Sequence, residues 1–281
     1  MSWLEPITAA VEGTSLLVRL ARSSKFIRRH ASRISYLVSH GESIIPIFGA
    51  GGVGKSTLSN VMLGTNPVDI VAPYRESDIV EKIVLKGDIP GQILVAPGQE
   101  RRVYTHWPDL LNKVVTGHPF GIINVVSYGY HSLLFETYKK HELYTPRMGL
   151  KGFVKAYAEQ RRKKELELVQ LLVNGILGRK KPIWFLTLVN KQDLWWSERD
   201  KVKKHYLEGA YSKEIGKLYK SLGDVHFQHE FLPVSMSLGN LTTTNGEVLV
   251  ANNAGYDMVT HLTYLQSFFA RIRDLLKFGE R

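Results

Sequence analysis

Residues 49–56 read Gly-Ala-Gly-Gly-Val-Gly-Lys-Ser, which is the most specific pattern in this sequence. It fits the pattern G-x-x-x-x-G-K-[ST] of a phosphate-binding loop. The apolar residues at 44–48 precede it and have the composition of a buried strand, while residues 57–63 can form a helix that ends at Gly64. A strand, a glycine loop and a helix in this order form the context in which the motif binds phosphate.

The residue types of the loop explain how it would hold a nucleotide. Glycines let backbone N–H groups surround an anion, and the following helix adds the positive end of its dipole. We expect Lys55 to reach the β- and γ-phosphates and the Ser56 hydroxyl to ligate Mg²⁺. The chain is therefore expected to bind a nucleoside triphosphate. The expected phosphate contacts are Gly49, Gly51, Gly52, Val53, Gly54, Lys55, Ser56 and Thr57.

A second motif, Asn190-Lys191-Gln192-Asp193, follows a continuous apolar run at residues 183–189. Such a run is typical of a central parallel strand that is buried on both faces. In an open α/β sheet, ligands bind just outside the carboxyl ends of the strands. A carboxylate at Asp193 would accept hydrogen bonds from guanine N1–H and from the exocyclic amine, and adenine offers neither donor on that edge. The motif therefore predicts a guanine pocket.

With both motifs in this order, the chain resembles the translation-factor-related GTPases, especially small GTPases of the Ras and Era type. The resemblance implies that Asn190 braces the phosphate loop, that Lys191 lies across the base and that Asp193 reads guanine. It implies GTP or GDP and Mg²⁺ as cofactors. It also implies an α/β fold, the three-layer G domain of P-loop NTPases, with a mostly parallel sheet.

Two further segments match this family in part. Ser235 and Met236 follow an apolar run at 231–234 and resemble the start of the family's Ser-Ala-Lys loop, which contacts the guanine carbonyl. A plain strand-to-loop turn is the alternative, since only the serine matches. Residues Gly98 and Gln99 resemble the end of the Asp-x-x-Gly-Gln segment. By that resemblance the Gly98 amide senses the γ-phosphate and Gln99 orients the attacking water.

The departure from the family is Val95, which stands where the family places the aspartate that holds Mg²⁺ through water. Three interpretations stay open: Asp78 or Glu100 approaches the metal, Ser56 and the phosphates hold it, or hydrolysis is weak. Losing such a carboxylate costs about 10–100-fold in metal affinity or activity, so we expect slow GTP hydrolysis. The alternative function is a GTP-binding scaffold or regulatory protein with negligible hydrolysis, and an ATPase is a third. The catalytic candidates are Lys55 and Gln99.

The segment between residues 65 and 78 contains two prolines and mixed polarity, which indicates a loop. The family uses a threonine here to complete the Mg²⁺ shell. Ser77 is the nearest hydroxyl in this chain, so the metal candidates are Ser56 and Ser77. Arg75 is either an arginine that acts on the phosphates or a solvated side chain.

The positive charge of the chain lies in two segments outside both motifs. Residues 1–42 hold six basic and three acidic side chains, and residues 139–181 hold twelve and four, which accounts for the formal net charge of +11. With 281 residues, the chain is longer than a small GTPase domain requires. We divide it into a basic amphipathic helical extension at 1–42 and a GTPase-like domain at 43–281. The domain carries a basic insertion around 131–180.

Both basic segments suggest partners. A helix within residues 1–42 would dock on the core or bind an anionic membrane surface. In the insertion and just before it, tyrosines alternate with cations, which fits a nucleic acid whose bases stack on the rings, a protein partner, an anionic membrane or a solvated helix face. The tyrosines concerned are Tyr128, Tyr130, Tyr138, Tyr144 and Tyr157.

The compartment is inferred from what the sequence does not contain. No apolar run reaches the roughly 18–20 residues of a membrane span. The first residues lack a signal-peptide pattern, and there is no cysteine. We expect a cytoplasmic protein, peripheral at a membrane if the basic segments bind one.

Overall fold

The computed structural model describes residues 44–65, 80–84, 92–116 and 121–279. Several sequence-based predictions fall outside this part of the chain. They are the helical extension at 1–42, Ser77 as a metal candidate, Arg75, and Asp78 as a substitute carboxylate.

The described residues build a six-stranded sheet. Its strands, in chain order, are β1 (Ile44–Phe48), β2 (Glu81–Val84), β3 (Gln92–Val95), β4 (Gly121–Val126), β5 (Ile183–Val189) and β6 (Phe227–Pro233). Across the sheet the order is β2-β3-β1-β4-β5-β6. Strand β2 is antiparallel to β3, and every other pair is parallel. The mostly parallel α/β sheet expected from the sequence is therefore confirmed.

The central strands are apolar because both faces of the sheet are covered. Every residue of β4 and β5 is buried, which is the reason that their sequences are continuous apolar runs rather than alternating ones. The exceptions, Asn124 and Thr187, both lie against the Tyr211 hydroxyl, at 2.7 and 3.2 Å. The Asn124 amide group and the Thr187 hydroxyl thus share a partner on α6, whereas Asn124 Oδ1 and Trp184 Nε1 are buried on these strands without a hydrogen bond to any described residue.

Helices cover both faces of the sheet. They are α1 (Lys55–Met62), α2 (Glu100–Thr116), α3 (Gly149–Ile176), α4 (Gln192–Trp195), α5 (Arg199–Leu207), α6 (Ala210–Leu222) and α7 (Met258–Gly279). Right-handed crossovers place α1 on one face, where α7 joins it against β4–β6, and place α2, α3 and α6 on the other. The result is three layers. Among the described helices, none is both long and apolar enough to cross a membrane.

The insertion that the sequence predicts contains α3, which has 28 residues. A small hairpin, β7 (Leu241–Thr242) and β8 (Val248–Val250), lies between β6 and α7. It is antiparallel and separate from the main sheet.

The positions of the tyrosines named above contradict the expectation that bases of a nucleic acid could stack on them. Four of them, Tyr128, Tyr130, Tyr138 and Tyr157, are buried in the core. Arg162 and Arg161 lie over the rings of Tyr128 and Tyr157, at 4.7 and 4.9 Å from the ring centroids. These rings are therefore not available as a surface on which bases of a nucleic acid could stack.

Candidate functional site

The phosphate loop connects β1 to α1 at the carboxyl edge of the sheet, where parallel α/β sheets bind ligands. Its conformation requires glycine at Gly52 and Gly54, whose φ angles are +76° and +97°. A Cβ at Gly52 would lie 2.6 Å from the backbone nitrogen of Ser132, and one at Gly54 would overlap the side chain of Asn190. The loop is thus packed between two other loops, and its glycines are required by contact as well as by backbone angle.

A cavity of about 850 Å³ opens over this loop. One end of it is formed by the phosphate loop and the start of α1. The other end is formed by the residues that follow β5 and β6. The predicted residues that line it are Gly51, Gly52, Gly54, Lys55, Ser56, Thr57, Gly98, Gln99, Asn190, Lys191 and Asp193. The structure therefore brings both sequence motifs into one site.

Lys55 is buried at the phosphate end of this cavity. Its Nζ donates to the carbonyl oxygens of Gly49 and Ala50, at 2.9 and 2.8 Å. Burial lowers the pKa of Lys55 to about 7, and the negative charge of Glu81 opposes that shift. A bound phosphate would favour the charged ammonium for the same reason, since opposite charges at short range stabilise each other.

Gly98 lies against the phosphate loop. The Gly51 amide donates to the Gly98 carbonyl at 2.9 Å, and a Cβ at Gly98 would overlap the Nζ of Lys55. Gln99 follows and lines the same cavity, one residue before α2 begins at Glu100. Both residues therefore occupy the end of the cavity where a terminal phosphate would lie.

Two side chains at the phosphate end of the cavity offer oxygen ligands for a cation. The Ser56 hydroxyl is at the first turn of α1 and the Glu81 carboxylate is on β2, and both side chains line the cavity. Hydroxyl, carboxylate and phosphate oxygens are the ligands that Mg²⁺ prefers, so the donor set fits this ion. Of the predicted metal-site residues, Ser77 and Asp78 lie outside the described part of the chain, and the Glu100 side chain is also not described.

At the other end of the cavity, Asn190 joins three loops. Its Nδ2 donates to the carbonyl of Val53 in the phosphate loop at 2.8 Å, and its Oδ1 accepts from the backbone N–H of Met236 at 3.0 Å. Trp195 Nε1 donates to the Asn190 carbonyl at 2.8 Å. The side chain therefore fixes the phosphate loop relative to the loop after β6.

Lys191 adopts a left-handed backbone conformation with φ +59°, which is uncommon for a residue with a side chain. Burial lowers its pKa to about 8, and the charges of Asp193 and Glu165 oppose the shift. Its Nζ donates to the Ser132 hydroxyl at 3.0 Å. The extended side chain thus runs along the cavity wall from the base end toward the loop after β4.

Asp193 is 1% exposed and faces the cavity. Its Oδ1 accepts from the Ser235 hydroxyl at 2.6 Å, and its Oδ2 accepts from the Gly239 amide at 3.1 Å. Burial raises its pKa, while these two hydrogen bonds and the charge of Lys191 act in the opposite direction. Each carboxylate oxygen accepts more than one hydrogen bond, so the group retains acceptor capacity for a ligand.

The structure places Ser235 and Met236 behind the cavity wall. Both are fully buried, and the Ser235 hydroxyl also accepts from the Asp193 amide at 2.9 Å. The neighbouring Ser237 and Gly239 line the cavity instead. Ser235 therefore positions the Asp193 carboxylate.

Sequence reasoning missed the opposite wall of the cavity, formed by the loop after β4 and by the β7–β8 hairpin. The Ser132 amide donates to the carbonyl of Gly52 at 3.0 Å. The hairpin joins this loop, since the Thr244 amide donates to the carbonyl of Phe135 at 3.0 Å. No local motif marks either segment. The lining residues of this wall are Ser132, Leu133, Leu134, Leu241, Thr242, Thr243, Thr244 and Gly246.

A buried carboxylate on α3 fixes the start of that wall. Glu165 accepts from the Tyr206 hydroxyl at 2.7 Å and from the Ser127 amide at 2.8 Å, and its Oε1 lies 2.9 Å from Nε2 of His131. Burial alone would raise the pKa of Glu165, but the hydrogen bonds from His131, Ser127 and Tyr206 lower it. An ionised carboxylate with several donors is stable in the core.

Comparison with protein-family models finds no match for this chain, and comparison with curated proteins finds none either. Solved structures do match. The mammalian SRP receptor is 13% identical, with 82% of this chain and 99% of that chain covered and a TM-score of 0.46. Toc33 from Arabidopsis thaliana is 10% identical, with 92% of each chain covered and a TM-score of 0.40.

A third structure is the ADP ribosylation factor-like GTP binding protein, or small COPII coat GTPase SAR1, from Encephalitozoon cuniculi in complex with GDP. It is 14% identical, with 92% of this chain and 94% of that chain covered and a TM-score of 0.39. These similarities are distant.

Proposed function

We propose that this chain binds guanine nucleotides together with Mg²⁺ and hydrolyses GTP slowly, as a conformational switch. The observation that carries the proposal is the geometry of one cavity. A phosphate loop with Lys55 lies at one end of it, and the anchored carboxylate of Asp193 lies at the other. A nucleoside triphosphate has its negative charge at one end and its hydrogen-bonding base at the other, which matches this distribution.

Guanine is the base that fits Asp193. Its N1–H and its exocyclic amine are adjacent donors, and a carboxylate is an acceptor on both oxygens. Ser235 and Gly239 fix the orientation of the carboxylate through one hydrogen bond to each oxygen. A base without these donors would leave a buried acceptor without its ligand partner, which costs about 1–3 kcal/mol for each group left unsatisfied.

At the phosphate end, the chain's own residues bind and orient. Backbone N–H groups of the loop and the ammonium of Lys55 would take the phosphates, and Gln99 would hold the attacking water. Mg²⁺, when bound, would neutralise charge on the phosphate oxygens. Gly98 contacts the phosphate loop through its carbonyl, so a change at the terminal phosphate would move the segment that leads into α2.

A second candidate function is a GTP-binding scaffold or regulatory protein with negligible hydrolysis. Val95 favours it, because this residue is 2% exposed and apolar at the end of β3, where the resemblance places a carboxylate. A site that binds the nucleotide well but lacks a group for the metal would retain affinity and lose turnover.

The test is nucleotide binding and phosphate release by the purified 281-residue chain, with GTP and ATP, in Mg²⁺ and in EDTA. We expect GTP-selective binding and slow phosphate release. The variant Lys55→Ala removes the buried ammonium and should weaken triphosphate binding by at least about 100-fold, which corresponds to about 2.7 kcal/mol. Tight GTP binding without release would favour the scaffold function. Preference for ATP would refute the guanine assignment.

We also propose that the basic insertion recruits the protein to an anionic partner, either a protein or a membrane surface. Exposed cations lie along the segment that precedes α3 and along α3 itself, namely Lys139, Lys140, Arg147, Lys151, Lys155 and Lys163. Their attraction for an anionic surface should weaken as salt rises. Co-sedimentation with anionic and with neutral vesicles, at low and at physiological salt, tests membrane recruitment.

A further inference from the structure

The end of β3 has an acidic neighbour on the adjacent strand. In the antiparallel pair of β2 and β3, Glu81 is directly opposite Val95. Side chains that face each other across an antiparallel pair point to the same face of the sheet, with Cβ atoms about 4.5–5.5 Å apart. The side chain of Glu81 therefore lies beside that of Val95, on the same face of the sheet.

Glu81 also reaches the phosphate end of the cavity. Its side chain lines the cavity together with Lys55, Ser56 and Gly98. Its negative charge is close enough to the ammonium of Lys55 to oppose the effect of burial on that group. The carboxylate and the Ser56 hydroxyl thus border the space in which the terminal phosphates of a bound nucleotide would lie.

Among the described residues, the carboxylates that line the cavity are Glu81 and Asp193. Asp193 lies at the base end, where Ser235 and Gly239 fix it. Glu81 is therefore the described carboxylate at the phosphate end. A magnesium ion on nucleotide phosphates takes one or two protein carboxylates and keeps several waters, so a single acidic side chain beside Ser56 is sufficient.

We propose that Glu81 is the carboxylate of the Mg²⁺ site, and that it replaces from β2 the group that Val95 lacks on β3. This inference rests on the proposed function, since it needs a nucleotide whose phosphates carry the metal. It explains how the cavity could bind Mg²⁺ with a nucleotide although the residue at the end of β3, Val95, is apolar. The carboxylate has moved to the adjacent strand, and the side of the sheet that it faces is unchanged.

A different role for Glu81 would be to neutralise Lys55 alone. The two roles predict different effects for Glu81→Gln, which keeps the size of the side chain, removes its charge and replaces one oxygen with NH₂. If Glu81 holds Mg²⁺, the variant loses metal affinity in the nucleotide complex, so its affinity for nucleotide falls in Mg²⁺ relative to its affinity in EDTA. If Glu81 only neutralises Lys55, the variant binds nucleotide more tightly, by the same factor with and without Mg²⁺.

The experiment uses the 281-residue chain. It measures the release of a fluorescent GDP analogue as Mg²⁺ is varied, and Mn²⁺ binding to the GDP complex by electron paramagnetic resonance. For Glu81→Gln, we expect the metal concentration that half-suppresses release to rise by about 10–100-fold. The double variant Glu81→Gln/Val95→Asp returns a carboxylate to β3 and should restore most of the metal affinity. Glu159→Gln, an exposed carboxylate on α3, is the matched control and should behave as wild type.

Unchanged Mg²⁺ dependence in Glu81→Gln, or tighter binding by the same factor in both conditions, overturns the assignment while the proposed function stands. A wild-type protein that binds no guanine nucleotide overturns the proposed function and this assignment with it. Because the single variant is isosteric on a partly exposed strand position, it decides the assignment even if the double variant does not fold.

Discussion

The replacement Asp193→Asn tests the base assignment, because it changes one oxygen of the anchored carboxylate into the NH₂ group of an amide and leaves the size of the side chain nearly unchanged. The Ser235 hydroxyl donates to Oδ1 and the Gly239 amide donates to Oδ2. An asparagine satisfies only one of these donors. If its oxygen stays with Ser235, its NH₂ group faces the Gly239 amide, so that two donors meet.

The magnitude follows from the bonds that guanine would lose. A hydrogen bond to a charged acceptor contributes about 1.5–3 kcal/mol, and guanine offers two donors to Asp193. The loss is therefore about 3–6 kcal/mol, or about two to four orders of magnitude in GTP affinity. Xanthine carries a carbonyl in place of the exocyclic amine, so the new NH₂ group of the variant has an acceptor there. Affinity for xanthosine triphosphate should rise as affinity for GTP falls.

The assay is a direct titration of wild type and variant with GTP, xanthosine triphosphate and ATP, accompanied by thermal unfolding without nucleotide. The unfolding measurement separates a local defect from a base-specific effect, since a misfolded site would lose every nucleotide equally. GTP affinity that stays within a few-fold of wild type would refute the reasoning. Loss of all three nucleotides without a gain for xanthosine triphosphate would show that Asp193 acts through the fold of the site.

The remaining predictions concern stability. Glu165→Ala should destabilise the chain by about 3–5 kcal/mol in urea denaturation, because the Tyr206 hydroxyl and His131 lose their buried partner. The control Glu159→Ala, at an exposed position, should unfold with a free energy within about 0.5 kcal/mol of wild type. Equal effects of the two variants would contradict the stabilising role of the buried Glu165 carboxylate. Burial lowers the pKa of His229 from 6.5 to about 3, so below pH 6.5 the unfolded chain binds a proton that the folded chain does not, and stability falls as the pH falls. At a pH of about 5.5 this lowers the free energy of unfolding by about 1.4 kcal/mol. In His229→Leu, the difference in unfolding free energy between pH values of about 7.5 and 5.5 should therefore be smaller than in wild type by that amount. An unchanged difference would contradict the lowered pKa of His229.

Local patterns in the sequence identified the elements that carry the cavity. The apolar run at 183–189 has the same first and last residue as β5. A strand that is buried on both faces is apolar at nearly every position, so the ends of the run mark the ends of the strand. The phosphate loop was recognisable because its glycines are required by contacts that other residues would break. In both cases the physical constraint acts on consecutive residues, so the sequence displays it directly.

Contacts between distant segments were not predictable in this way. The position of Glu81 beside the cavity follows from its pairing with Val95 across two strands. The sequence of either strand alone does not reveal this pairing. Glu165 lies within a basic helix, where its charge reads as one of many surface charges. Its burial depends on Tyr206, which is 41 residues away. The tyrosines of the insertion misled for the same reason, since alternation of rings and cations does not reveal which side of a segment faces the core.

Ser132 contacts both halves of the candidate site. Its amide donates to the carbonyl of Gly52 in the phosphate loop, and its hydroxyl accepts from Lys191 beside the base. The same loop is tied to α3 through His131 and Glu165. A few hydrogen bonds thus connect the phosphate loop to the basic helix α3. The two sequence motifs and the basic helix therefore belong to one hydrogen-bonded network, in which the loop after β4 is the shared member.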